Sequence, residues 1–540
     1  MCSPCRCVRN HQFVCDRITM VKELRTVAVD AKVHRLPKLA GDLWGLSNVQ
    51  PFLPCLEQLF KTEHLSTVSE YGLKFPEGVD SIVDETHIKT TLGRTLPVHR
   101  KTTMILSPFK TMKGEYAAPG LPKPTDVARD ISERIQSPHT AAYVGALTSA
   151  FLSLSGCQHF PTVYGIYASI LRSHVLDISD DYEDISDRPW FMNNVGKTFQ
   201  LKLRALPGAD TFTHTRSQRN GLLLGEDIEL DVDDVDVAHV EDASPTEYTT
   251  EYSAPQQYDA SVTESSEDDV FEIESCACEG ETEDEEEEGE PESFAWATFS
   301  EVPAVTTVMD VCEGTFYDLL DRDPEHVYAF VCQLVMALTY AQRTFGFVHN
   351  DLHGNNVMYV KTDQEYLYYK HVGSYYRVPT YGILIKVIDF DRAALSIRLT
   401  GMKDPRFFMS SQFQIDEEAA GQYNIEPFYT PTHARIPLNP SFDLARFATS
   451  LFWDMFPLGP DHAYDHPLFE LFKHWMTLPD GSSVLYRKTH DNHDRYHDFD
   501  LYKQIARACA NAVPRKELAK FKAFLIPKLP ADAPFFCVDV

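Results

Sequence analysis

The stretch Phe347-Val-His-Asn-Asp-Leu-His-Gly-Asn-Asn-Val-Met-Tyr-Val360, taken with Lys386-Val-Ile-Asp-Phe-Asp391, decides the reading of this chain. An apolar run leads into His349, Asp351 follows two residues on, Asn356 lies five further, and a β-rich run ends in Asp389. On a loop, Asp351 can accept or orient the proton of an attacking hydroxyl. An amide oxygen from Asn356 and a carboxylate from Asp389 suit Mg²⁺, a hard cation that bridges phosphates. The five-residue gap lets one loop present base and metal ligand together, while the second carboxylate arrives from a separate strand end. Either half alone fits an Asx-rich turn before a buried strand. Together, in this order, they are the groups that phosphoryl transfer requires.

His349-Asn350-Asp351 with Asn356, followed by Asp389-Phe390-Asp391, resembles the eukaryotic-type protein kinase superfamily, whose catalytic loop reads HRDxxxxN and whose metal motif reads DFG. The HxDLHxxN form, with a long segment before the metal Asp, is similar to haspin and to the divergent protein kinases of large DNA viruses, from about Ala304 to Trp453. The resemblance implies an α+β, bilobal fold with a β-rich smaller lobe and a mainly helical larger one. It implies ATP and Mg²⁺ as cofactors and transfer to Ser/Thr hydroxyls of a protein substrate. Asp351 would be the catalytic carboxylate, with His349 and His353 beside it, and Asn356 and Asp389 would hold the metal. Met309 would line the back of the adenine pocket, with Asp310 and the backbone near Cys312 forming the hinge, and Asp443 would cap the catalytic loop. His353 stands where many protein kinases carry a Lys that touches the transferred phosphate, and a bond to the γ-phosphate and a bracing role are equally open.

Two positions depart from the family pattern. Asn350 replaces an Arg that pairs with an activation-loop phosphate, which implies activity that does not await such phosphorylation. Asp391 replaces a Gly, which leaves the metal loop stiffer. Similarity to aminoglycoside and choline kinases keeps small-molecule phosphotransfer as an alternative. A catalytically weak pseudokinase scaffold is a third reading, because no G-x-G-x-x-G precedes the early strands. Lys101, on a strand expected over Pro97 to Phe109, is the candidate for the lysine that holds the α and β phosphates, with Lys110 and Lys113 just past it. Its usual partner, a Glu on the following helix, has no obvious counterpart: the family's spacing lands near Ala141, and Glu133 lies too far upstream.

Periodicity supplies the frame. Ser137 to Ser155 reads as a helix with Tyr143, Leu147, Phe151 and Leu154 on its apolar face, and Phe160 to Ile170 reads as a strand pair. Ala304 to Met309 is a β-branched strand. Asp323-Pro324 starts a helix in which Val327, Phe330, Val331, Leu334, Val335 and Leu338 form a core stripe. Val357 to Ile388 is a long hairpin whose aromatic residues suit cross-strand pairing better than base stacking. The segment Arg392 to Leu438 carries no Ala-Pro-Glu, and a helix follows Asn439-Pro-Ser-Phe-Asp443.

The net charge of −31 over 540 residues is unevenly spread. Between Glu226 and Glu292 lie 28 acidic and no basic residues, leaving 52 acidic against 49 basic elsewhere, a net of −3. Nothing in that near-neutral remainder forms a basic nucleic-acid face. The acidic stretch reads as a disordered insert available to basic partners, with Ser265-Ser266-Glu-Asp-Asp as an acid-directed phosphorylation target. The organisation expected is an extension over 1–64, a divergent smaller lobe over 65–225, the insert over 226–295, and hinge and larger lobe over 296–540. Cys2, Cys5, Cys7 and Cys15 with His11 are too cramped for an ordinary structural zinc site. Cys276 and Cys278 read as exposed thiols, and the His, Asp and Tyr residues from His490 to Tyr502 are too irregular in spacing for a metal cluster. No apolar run reaches a membrane span and no signal-peptide core follows Met1, so the expectation is an intracellular chain without membrane contact.

Overall fold

An α+β architecture follows from these patterns in the computed structural model, which describes residues 27–117, 137–205, 293–487, 495–496 and 498–539, apart from 416, 418 and 532. Residues 226–292 of the acidic insert with Cys276 and Cys278, the cysteines up to Cys15 with His11, and Glu133 and His490 lie outside the described residues, whereas 293–295, expected to end the insert, already belong to a strand.

Five antiparallel strands carry the first candidate residue. They are β1 (Leu46–Gln50), β2 (His99–Met104), β3 (Val163–Asp177), β4 (Gln200–Ala205) and β5 (Ser293–Met309). Their order is β4-β5-β3-β1, and β2 pairs with the Ala304–Met309 end of β5, on the strand edge that β4 occupies at the other end. Residues 163–170 of β3 are buried without a break, because both faces of the sheet are covered there. The helix α1 (Ala141–Leu154) packs Tyr143, Leu147 and Phe151 on one side with Ile166, Ala168 and Val305, and Trp44, Ile88 and Val98 cover Tyr167 and Val308 on the other. No turn residue interrupts Ala168-Ser-Ile-Leu-Arg, so the expected strand pair is a single strand of 15 residues. The strand expected to run to Phe109 stops at Met104, because Ser107 and Pro108 open a short helix, with the Ser107 hydroxyl accepting from Lys110 N.

After β5 the chain enters α2 (Phe316–Arg322), opened by a Thr315/Asp318 capping box. A single 3-10 turn, Pro324–His326, then leads into α3 (Val327–Phe345). The carboxylate of Asp323 binds the His326 ring rather than the backbone, so α3 begins three residues later than its proline suggests. Gly346, at φ +57°, closes α3 in the left-handed conformation and turns the chain toward His349. Strands β6 (Val357–Lys361) and β9 (Ile383–Val387) pair antiparallel, and the hairpin of β7 (Tyr366–His371) and β8 (Ser374–Pro379) loops out between them. Tyr369 faces Tyr376 across that hairpin and both are buried in the core, whereas Tyr366, Tyr368 and Tyr375 are half-buried on its other face. Helices α4 (Phe442–Met455), α5 (Pro467–Trp475) and α6 (Asp498–Ala508) follow.

The main core joins α1, α3 and α4, and Phe52, Leu53, Cys55 and Leu56 are buried in it. From residue 27 onward, therefore, the segment expected as an extension is built into the packing. Among the described residues no helix is long and apolar enough to cross a membrane.

Candidate functional site

The loop between α3 and β6 is held from below by one buried carboxylate. Asp443, in the first turn of α4, accepts hydrogen bonds from the backbone N–H groups of His349, at 3.0 Å to both oxygens, and of Asn350, at 3.0 Å. Burial pushes the Asp443 carboxyl above its ordinary value, with the neighbouring His349 opposing. His349 is itself buried and donates from Nε2 to the carbonyl of Ile388 at 2.7 Å. Ile388 N returns a bond to Asn356 O at 3.0 Å, so the loop and the strand end that carries Asp389 are tied by two hydrogen bonds. Val348 and Ala394 exchange backbone hydrogen bonds at 2.9 Å on either side of the pair of motifs. Phe390 is buried against Phe160, Phe347 and His349, which fixes the residue between the two aspartates.

Asn356 uses both amide hydrogens inside the loop, donating to Asp351 O at 2.8 Å and to His353 Nε2 at 3.1 Å. Its Oδ1 accepts nothing among the described residues, which suits a metal ligand. His353 thus braces the loop through Asn356. Burial, first among the causes, pushes its pKa down to about 4, so the ring is neutral near pH 7. Asn350 and Asp389 both adopt positive φ, +67° and +61°. For non-glycine residues that conformation persists only where the surroundings impose it, and it gathers at functional sites.

Asp351 is bound by partners that the sequence did not announce. Tyr502, on α6, donates its hydroxyl to Asp351 Oδ1 at 2.8 Å, and Arg392 Nη1 lies 3.7 Å from the same oxygen. Burial opposes ionisation of Asp351, but Arg392, His353, Arg446 and the Tyr502 hydroxyl together outweigh it and hold the carboxyl below its ordinary value. Asn350 Nδ2 donates to Arg392 O at 3.0 Å, and Tyr423 donates to Asn350 Oδ1 at 2.8 Å. Asn350 therefore fastens the downstream segment with neutral hydrogen bonds. The tyrosine at the end of the His490–Tyr502 stretch does its work here. Among the described residues no group of three or more His, Cys, Asp and Glu side chains gathers to hold a metal.

From the sheet, Lys101 reaches the same place. Its Nζ lies 2.5 Å from Asp389 Oδ1 and 3.0 Å from Asp391 Oδ2. Burial alone would lower the ammonium's pKa, yet the two carboxylates outweigh it and raise the value above that of an ordinary lysine. Thr103, two residues along the strand and hence on the same face, donates to Asp391 Oδ2 at 3.1 Å. Lys110 pairs instead with Glu417 at 2.7 Å.

Met309 is buried at the end of β5. Asp310 exchanges backbone and side-chain bonds with Thr162, and its Oδ2 lies 3.6 Å from Lys386 Nζ, so its carboxylate fastens β5 to the start of β3 and to β9. Half-buried Cys312 has its thiol pushed up to about 11, chiefly by burial, and is a weak nucleophile. Lys101 Nζ thus meets Asp389 on the strand end that is hydrogen-bonded to the loop of Asp351 and Asn356. The amide oxygen of Asn356 and the carboxylate of Asp389 could serve a hard cation as ligands, and the ammonium could pair with a phosphate. No family model matches the chain, and no curated protein sequence matches it significantly.

Proposed function

We propose that this chain is an ATP- and Mg²⁺-dependent protein Ser/Thr kinase of divergent type, with the β1–β5 sheet and α1 as the smaller lobe, residues 310–314 as hinge, and the helical remainder as the larger lobe. The observation that carries this reading is the landing of Lys101 on Asp389, 288 residues away in sequence. A strand lysine and a loop aspartate have no local reason to meet, and phosphate and metal handling gives them one. Asp351 orients the acceptor hydroxyl, its low pKa keeping it ionised as a proton acceptor. Lys101 binds the α and β phosphates. Asn356 and Asp389 hold the metal, which when bound neutralises charge on the transferring phosphate. The resemblance of residues 310–314 to a kinase hinge and the Asp443 cap on the loop favour a protein acceptor over a small molecule.

The reading is tested by transfer of the γ-phosphate of ATP, with Mg²⁺ or Mn²⁺, to casein, histone and the protein itself. Asp351→Asn and Asp389→Asn should each reduce transfer by about 100-fold to 10,000-fold, the range for a lost proton acceptor or electrostatic group. Nucleotide binding without protein phosphorylation would favour small-molecule acceptors. Absence of both would favour a scaffold, a reading helped by the Tyr502 hydroxyl already seated on Asp351.

A further inference from the structure

We infer that Asp391 is the positioning carboxylate for the phosphate-binding lysine, taking over a task that α1 has given up. The inference rests on the kinase reading and concerns the same site. Where a lysine on a strand must be aimed at phosphates, a second carboxylate has to neutralise and orient it when the metal ligand turns to its cation. Helix α1 packs on the same sheet, against β3 and β5, and it offers no acid: Ala141–Leu154 contains neither Asp nor Glu.

At the point of closest approach the helix has Gly145. A Cβ there would lie 2.1 Å from Asp391 Oδ1, closer than packed atoms tolerate, and a tight 3.3 Å from its Cα. The glycine is therefore the space into which the Asp391 carboxylate fits. Within that space Asp391 meets Lys101 at 3.0 Å and Thr103 at 3.1 Å, two groups on one face of β2. The two departures noted in the sequence, an aspartate where the metal motif has glycine and a helix without its acid, are one exchange: side chain and glycine have traded elements. A further consequence follows for control. The lysine is anchored by the metal loop itself, so a swing of α1 does not by itself break the pair.

The test is steady-state kinetics on the full chain with ATP varied at saturating Mg²⁺, together with melting temperature with and without ATP. Asp391→Asn should lower kcat/KM for ATP by about 100-fold, the cost of misplacing a positioning group by about an ångström, with a raised KM for ATP and an unchanged melting temperature without nucleotide. Asp391→Gly combined with Gly145→Asp returns a carboxylate to the same space from the helix and should recover about tenfold over Asp391→Gly alone. Unchanged kcat/KM in Asp391→Asn, a double variant no better than Asp391→Gly, or a variant that needs more Mg²⁺ at unaltered KM for ATP would each overturn the inference while leaving the kinase reading in place. A wild type that neither binds nor turns over ATP would overturn both.

Discussion

Around Asp351 the backbone is fixed by buried hydrogen bonds from several directions, with Asp443 beneath, Ile388 behind and Asn356 across the loop. Around Lys101 the arrangement is different in kind. A strand side chain reaches across to two carboxylates, and all three groups keep partial access to solvent. The first region is over-determined, so it holds a strained residue such as Asn350 in place. The second depends on charge pairing, which is adjustable and responds to ligands. On the kinase reading proposed above, such a site keeps its acceptor-binding half rigid and lets its nucleotide-binding half rearrange when phosphate and metal arrive.

Removing Asp443 should break the rigid half most severely. Asp443→Ala leaves the N–H groups of His349 and Asn350 buried without an acceptor, costing about 2 to 5 kcal/mol of stability. Asp443→Asn keeps one acceptor oxygen and should lose roughly half of that. Urea denaturation monitored by fluorescence measures both. A loss below about 1 kcal/mol for the alanine variant would mean that the loop is held elsewhere.

The same contrast explains what could be read in the sequence. Asp351, Asn356 and Asp443 sit in one stretch of chain or at a helix start, where spacing and residue type carry the geometry. Lys101 owes its place to a register with Thr307 on β5, across the acidic insert, and no local pattern specifies that register. Gly145 was invisible for another reason, since its meaning lies in the side chain of Asp391, which its missing Cβ admits. Tyr502 and Arg392 were missed because neither belongs to a motif. The clue available was that a departure in the metal motif and a deficit in the helix occurred together. The expected starts of α1 and α3 were displaced by a few residues because caps and 3-10 turns compete for helix ends.

A pH titration compares the rigid loop with a second buried histidine elsewhere in the core. His353 braces the loop, whereas His159 joins the turn before β3 to the β7 and β9 strands, donating from Nδ1 to Ile385 O at 2.9 Å and accepting from the Tyr369 hydroxyl at 2.7 Å. Burial pushes each ring's pKa down to about 4. Because the folded values lie below the ordinary one near 6.5, the unfolded chain takes up these protons first. The stability is therefore present in full above about pH 6.5 and is lost as pH falls toward 4, by about 3 kcal/mol for each ring. His159→Gln and His353→Gln should each flatten the profile. A profile flattened by only one of them would show that the other ring is not held neutral by burial.

The smallest effect concerns the tie between the rigid loop and the segment after Asp391. Tyr423→Phe removes the hydroxyl bonded to Asn350 Oδ1, both groups being buried, and should cost about 1 kcal/mol. Neutral hydrogen bonds make this tie, so phosphatase treatment of the wild type should leave transfer activity unaltered. Activity that falls on dephosphorylation would mean that a phosphate does part of the fastening. With the hydroxyl gone, Asn350 still donates to Arg392 O, and Arg392 still lies beside Asp351. The variant should consequently lose stability while keeping most of its kcat. A drop in kcat far larger than the stability change would show that Tyr423 reaches Asp351 through Asn350 and Arg392, making the segment part of the catalytic half rather than a strap across it.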